Sequence, residues 1–180
     1  MVQINLKVNG REHVAEVDSR MLLIEFIRDE IGLTGTHAGC MEARCGCCTV
    51  LVNDRAIKSC NVLAVQVTGT EITTLEGLCE AKLVASPGGE TELGRMRLDE
   101  RDLHPVQVAL RAHGAVQCGF CTPGMVLTLV DYLGRNPEPT SDDLRLALSG
   151  DMCRCTGYQK IIEAGMAAAA QMRADVKSKT

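Results

Sequence analysis

The chain has 180 residues, 46% hydrophobic and only 2% aromatic, with a formal net charge of -4. That length holds one mid-sized domain or two small ones. An acidic chain without a basic block argues against a nucleic-acid partner, and the few aromatic rings argue against base stacking. No apolar run approaches the length of about 18 residues that a membrane span needs. The first ten residues lack a charged-then-apolar leader and a twin-arginine signal, so the expected location is cytoplasmic.

In chain order, Ile4, Leu6 and Val8 alternate with polar residues, and Asn9-Gly10 offers a tight hairpin turn. A return strand is expected over residues 14–17. Residues 20–31 change period, with Leu22, Leu23, Phe26, Ile27 and Ile31 on one helical face, Ser19 as cap and Gly32 as stop. Residues 34–48 form a Gly- and Cys-rich loop. Short strands follow at 49–52 and 56–59, joined by Asn53-Asp54, and another within 70–75. This predicts a small mixed domain over residues 1–77. Residues 78–102 read as a linker with Ser86-Pro87-Gly88-Gly89. From there the pattern is helical: 105–113 with Pro105 in the first turn, about 122–135 opened by Thr122-Pro123, 141–148 capped by Thr140 or Ser141, and 158–172. These make a helical domain over residues 103–172 and a polar tail over 173–180. The class is α+β.

Ten cysteines are the compositional outlier. In a chain of this size without a leader they read as metal ligands rather than disulfides. Cys40, Cys45 and Cys48 are spaced C-x4-C-x2-C with Cys60 as a distant fourth, the arrangement of a plant-type [2Fe-2S] cluster. Gly35, Gly39 and Gly46 allow the tight turns that wrap such a cluster. A structural zinc ion is the alternative, although its usual donors are two close Cys pairs. Cys47, beside Cys48, reads as a small buried filler. Cys118, Cys121, Cys153 and Cys155 form a C-x2-C pair and a C-x-C pair, each just before a helix start, where partial positive charge favours thiolates. Spacing alone leaves iron–sulfur, zinc or a redox dithiol open there. Cys79 reads as a spare thiol. His13, His37, His104 and His113 have no ligand partner and read as surface or packing residues, and Glu76, Glu80 and residues 99–102 as a solvated charged face. No dinucleotide fingerprint, P-loop or catalytic grouping stands out.

Residues Gly39-Cys40, then Arg44-Cys45-Gly46-Cys47-Cys48-Thr49-Val50, then Lys58-Ser59-Cys60 resemble the N-terminal ferredoxin-like motif of molybdenum hydroxylases. Gln117-Cys118-Gly119-Phe120-Cys121-Thr122-Pro123-Gly124-Met125 is similar to their second motif, and Cys153-Arg154-Cys155-Thr156-Gly157-Tyr158 to their third. Over residues 2–170 the chain resembles the small iron–sulfur subunit of the xanthine dehydrogenase, carbon monoxide dehydrogenase and aldehyde oxidoreductase family. The resemblance implies a β-grasp ferredoxin-like domain followed by a four-helix [2Fe-2S] domain. It implies a distal cluster on Cys40, Cys45, Cys48 and Cys60 and a proximal cluster on Cys118, Cys121, Cys153 and Cys155. It further implies that Gln117 contacts the molybdopterin of a large partner subunit and that Cys155 links cluster and pterin. Electrons would pass through both clusters to FAD in a medium subunit, within a dimer of heterotrimers. The chain would then be an oxidoreductase subunit with no catalytic residue of its own. A stand-alone ferredoxin-like carrier or redox sensor, and a zinc-stabilised interaction module, are the competing readings. Two departures from the family stand out. Cys47 replaces a small residue, leaving a swapped ligand or a tuning thiol open, and the linker is long.

Overall fold

The computed structural model describes residues 1–79 and 102–178. Most of the linker, residues 80–101, and Glu80 of the expected charged face lie outside the described residues.

Strand β1 (Val2–Val8) buries Ile4, Leu6 and Val8 on one face, as its alternation requires. It pairs antiparallel with β2 (Arg11–Val17) through Asn9-Gly10, whose φ angles of 49° and 79° make the tight hairpin. The expected helix over 20–31 is shorter. Helix α1 (Leu23–Glu25) is capped at Leu22, whose N–H donates to the Glu25 carboxylate at 2.9 Å, so Ser19 plays no capping role. It continues as a π turn over Phe26–Glu30, closed by Ile31 N–H on Phe26 O at 3.0 Å. Strands β3 (Thr49–Val52) and β4 (Arg55–Lys58) form a second hairpin, turning at Asn53-Asp54 with φ of 46° and 61°. Strand β5 (Glu71–Thr73) completes a five-stranded mixed sheet in the order β2-β1-β5-β3-β4, parallel to β1 and antiparallel to β3. Phe26, Ile27, Leu6 and Ile72 fill the core beneath it.

The second core is helical. Helix α2 (Pro105–Ala112) packs on α5 (Gln159–Ser178), and α3 (Thr122–Arg135) and α4 (Ser141–Ala147) complete the layer. Met125, Leu129, Leu133, Leu144 and Ile161 are its buried centre. Small residues on α5 permit close approach. At Gly165 a Cβ would stand 2.9 Å from Leu144 Cδ1. Thr140 caps α4, its Oγ1 accepting from Asp143 N–H at 3.2 Å. Helix α3 spans the expected residues, but Cys121 rather than Thr122 stands at the cap position and Thr122 is its first helical residue. Helix α5 runs on to Ser178, past the expected end at Met172. Arg173 on this extension donates to the Pro137 carbonyl, tying the added turns to the α3–α4 connection. Among the described residues, no helix is long and apolar enough to cross a membrane.

The two cores meet along α3. Leu75 and Leu78, at the end of the first half, pack against the helical core. Asp131 on α3 takes a bidentate bond from Arg135 (2.9 and 3.0 Å) and lies 3.5 Å from Arg55 on β4. Glu76 is not a solvated charge as expected: it accepts from Gly35 N–H at 2.7 Å and Thr74 Oγ1 at 2.6 Å, pinning the start of the cysteine loop.

Candidate metal centres

The loop before β3 is bent by left-handed residues. Met41 and Ala43 have φ of 58° and 57°, and Gly46 has φ of 76°. Such φ values cost a non-glycine residue about 1 kcal/mol each. They turn successive N–H groups inward, as in an anion-binding nest. Glu42 N–H and Arg44 N–H each reach Cys40 Sγ at 3.3 Å, Cys45 N–H reaches it at 3.4 Å, and Ala43 N–H reaches Cys60 Sγ at 3.3 Å. The backbone N–H groups of Cys45 and Glu42 draw the Cys40 thiol down to about 7. Burial pushes the Cys48 thiol up to about 11. Cys48 pairs with Cys60, and Cys40 with Cys45.

The second set lies at two helix starts. Cys118 and Cys121 precede or cap α3, and Cys153 and Cys155 lie in the loop before α5. Cys155 Sγ and Cys118 Sγ are 3.5 Å apart, and both residues are exposed. Cys121 pairs with Cys153 deeper in, and burial pushes the Cys121 thiol up to about 12. Burial also works on Cys153, but the Thr156 hydroxyl at 3.1 Å and nearby N–H groups outweigh it and hold that thiol below its ordinary value. Tyr158, at a φ of 69°, brackets the loop: its hydroxyl accepts from Cys153 N–H at 2.8 Å and donates to Asp151 O at 3.0 Å.

The two loops touch. Met152 N–H donates to the Cys45 carbonyl at 2.8 Å, joining a residue next to Cys153 to a thiol residue of the first set. Gly46 lies against Gly124 so closely that a Cβ on Gly124 would stand 2.0 Å from Gly46 O. His37 stacks on Phe120 with ring centroids 4.9 Å apart, and its Nδ1–H donates to Phe120 O at 2.8 Å. His37 thus bridges the two cysteine loops, a role the sequence pattern did not signal. His104 caps α2 by accepting from Val106 N–H at 3.2 Å, and His113 donates to Ala109 O at 3.0 Å. Cys47 is buried beside Cys45, Cys48 and Cys121, and burial foremost pushes its thiol up to about 12. Cys79 is half-buried and its thiol is raised by burial and by Asp102 and Glu76. Gln117 is exposed beside Cys118.

Residues 6–82 match the family of 2Fe-2S iron-sulfur cluster binding domains, and residues 93–166 match the [2Fe-2S] binding domain family. The nicotine 6-hydroxylase small subunit of Paenarthrobacter nicotinovorans is 39% identical over 171 residues, 95% of this chain and 92% of that one. The chain belongs to the small iron–sulfur subunits of the molybdenum hydroxylases. Another such relative, the aldehyde oxidoreductase iron-sulfur-binding subunit of Escherichia coli K12, is 36% identical over 96% of this chain and 74% of its own. The crystal structure of quinoline 2-oxidoreductase from Pseudomonas putida 86 superposes on this small subunit with a TM-score of 0.79, at 39% identity and 96% coverage of both chains.

The donors suit the cofactors of this family. A [2Fe-2S] cluster takes four thiolates, two at each iron, and is tuned by hydrogen bonds to its sulfurs. Each set in the small subunit brings four thiols together from separate segments, Cys118 and Cys155 being 3.5 Å apart, and the first set is lined by inward N–H groups. Among the described residues, no group of three or more His, Cys, Asp or Glu closes tightly enough to hold a single ion.

Proposed function

We propose that this small subunit is the electron relay between the molybdenum cofactor of a large subunit and FAD in a medium subunit. When bound, its two [2Fe-2S] clusters supply one-electron steps that connect two-electron sites. In this reading Cys40, Cys45, Cys48 and Cys60 hold the distal cluster on a β-grasp domain of residues 1–77. Cys118, Cys121, Cys153 and Cys155 hold the proximal cluster on a four-helix-bundle domain of residues 103–172. Residues 78–102 link the two, and the last turns of α5, to Ser178, extend the helical domain where a tail was expected over 173–180.

The observation that carries the reading is the hydrogen bond from Met152 N–H to the Cys45 carbonyl, which joins the two thiol sets through backbone. The nest at Met41–Cys45 stabilises thiolate charge on one side of that bond, and Thr156 does so on the other. The exposed edge of the second set supports an orientation. Gln117, Cys118 and Cys155 stand at the surface with Val116 (41% exposed), Phe120 (48%) and Met152 (60%) around them. Apolar side chains left in water beside a redox site mark a protein contact. Gln117 offers an amide that both donates and accepts toward a pterin, and Cys155 a thiolate at the same edge. The assembly is a cytoplasmic dimer of heterotrimers.

Purification of the native protein tests this. The expected result is co-elution with two larger chains carrying molybdopterin and FAD, with substrate reducing the iron–sulfur absorbance. A stable red-brown monomer without partners would instead identify a free carrier.

A further inference from the structure

Both cores contribute to one buried polar contact that the thiol sets do not explain. Lys58 closes β4, two residues before Cys60, and Asp151 lies two residues before Cys153. Lys58 Nζ is 3.0 Å from Asp151 Oδ1 and also donates to Thr49 Oγ1 at 2.9 Å. Thr49 Oγ1 in turn donates to Gly46 O at 2.8 Å. The Asp151 side chain is only 2% exposed. Its Oδ1 lies over the Gly46 backbone, where a Cβ would stand 1.8 Å away. One ammonium therefore touches or adjoins all three segments that meet at the seam: the Cys45–Cys48 turn through Thr49, the Cys60 segment through the chain, and the Cys153 loop through Asp151.

A buried ion pair gives little net stability over well-packed apolar residues, and its best-attested use is to fix a register. The register at stake is adjacent. Met152 follows Asp151, and its N–H is the one that bonds Cys45 O. Gly46 and Gly124 give this seam no side chain with which to interlock, so beside the His37–Phe120 contact it is the polar clasp that positions it.

We propose that Lys58 and Asp151 are positioning residues that lock the two cysteine loops in register and so set the spacing and coupling of the two cluster sites. This rests on the reading of the two thiol sets as cluster ligands. The other carboxylate oxygen of Asp151, Oδ2, is buried without a hydrogen bond among the described residues, with the Thr128 side chain close to the carboxyl, so among the described residues Lys58 supplies the charge that holds this side chain. A lysine at this position acts as a compact point charge; arginine keeps the positive charge there and is long enough to reach Asp151, but presents a planar fork in place of the ammonium.

The test is Lys58→Met in the assembled native complex, with two readouts. One is the splitting that magnetic interaction between two reduced clusters adds to their EPR signals. The other is hydrogen exchange at the Met152 amide. Both cluster signals are expected to remain, the splitting to change, and Met152 exchange to quicken by about tenfold or more. Lys58→Arg should restore both. Unchanged splitting and unchanged Met152 protection in Lys58→Met overturn the clasp. Where Lys58→Met does not assemble, Thr49→Val removes only the bridging hydroxyl. It should shift both readouts in the same direction, and no shift overturns the proposal. Absence of two cluster signals in the unmodified complex would sink the ligand reading itself, which is a separate outcome.

Discussion

Replacing Gly124 with alanine puts a methyl group into the tightest contact between the two halves of the chain. Its Cβ would stand 2.0 Å from Gly46 O, 2.8 Å from Gly46 C and 3.2 Å from Cys47 Cα. The first of these is more than 1 Å inside ordinary contact, and all three partners are backbone atoms of the Cys45–Cys48 turn. No rotamer change relieves that overlap, so helix and turn must separate. Against this, alanine favours a helix over glycine by about 0.5–1 kcal/mol. Overpacking costs about 1–3 kcal/mol and sits at the upper end where backbone meets backbone, leaving a net loss of about 2 kcal/mol. For a chain of this size that lowers the melting temperature by about 4–8 °C. Gly134 in the same helix is the control, because nothing lies within 4 Å of a Cβ there. Gly134→Ala is expected to hold or raise the melting temperature by up to about 4 °C. The assay is thermal unfolding of the cluster-loaded protein, followed by circular dichroism and by visible absorbance. Gly124→Ala melting as high as Gly134→Ala, with the visible bands intact, would refute the close approach of the two loops.

Cys153→Ser or Cys155→Ser should remove one EPR signal, keep the other, and uncouple turnover from flavin reduction in the complex; two signals with full turnover would contradict the assignment. Cys47→Ser should keep full iron and both signals, whereas loss of one cluster would make Cys47 a ligand. At Asp131, burial pushes the carboxyl up, but bonds from Arg135 and the Ala56 backbone and the charge of Arg55 outweigh it, so its folded pKa is below the ordinary value. Its contribution is therefore present above the unfolded pKa near 3.8 and lost as pH falls through the folded one. Both arginines are largely exposed, which keeps the contribution to about 1 kcal/mol. Asp131→Asn should thus melt lower at pH 7 and lose less stability than the unmodified chain on acidification below about pH 4; parallel acid limbs would contradict this.

Local chemistry made much of this molecule readable. Asn9-Gly10 and Asn53-Asp54 sit at the two hairpins because each tolerates positive φ, and Pro105 and Thr140 open helices for reasons carried in a few adjacent residues. The thiol spacing likewise shows in the chain, since a loop wraps its ligands locally. What was not legible depends on contacts between distant segments. His37 has no ligand neighbour in sequence, and its partner Phe120 is 83 residues away. Lys58 and Asp151 are separated by 93 residues, and neither carries a spacing signal. Glu76 looked like one of several surface charges until Gly35 came within 2.7 Å. The period over residues 20–31 marked a buried face, but an α-helix and a π turn bury Leu23, Ile24, Phe26 and Ile27 equally well. The extra turns of α5 rest on Arg173 reaching Pro137, again a tertiary contact.

The central claim is that this chain carries two [2Fe-2S] clusters in series. Spin-quantified EPR of the dithionite-reduced native complex, with iron and acid-labile sulfide measured on the same sample, tests it most directly. The account predicts two distinct signals integrating to about two spins per chain, with about four irons and four sulfides. A single signal, or four-cysteine sites filled with zinc and no labile sulfide, would contradict it.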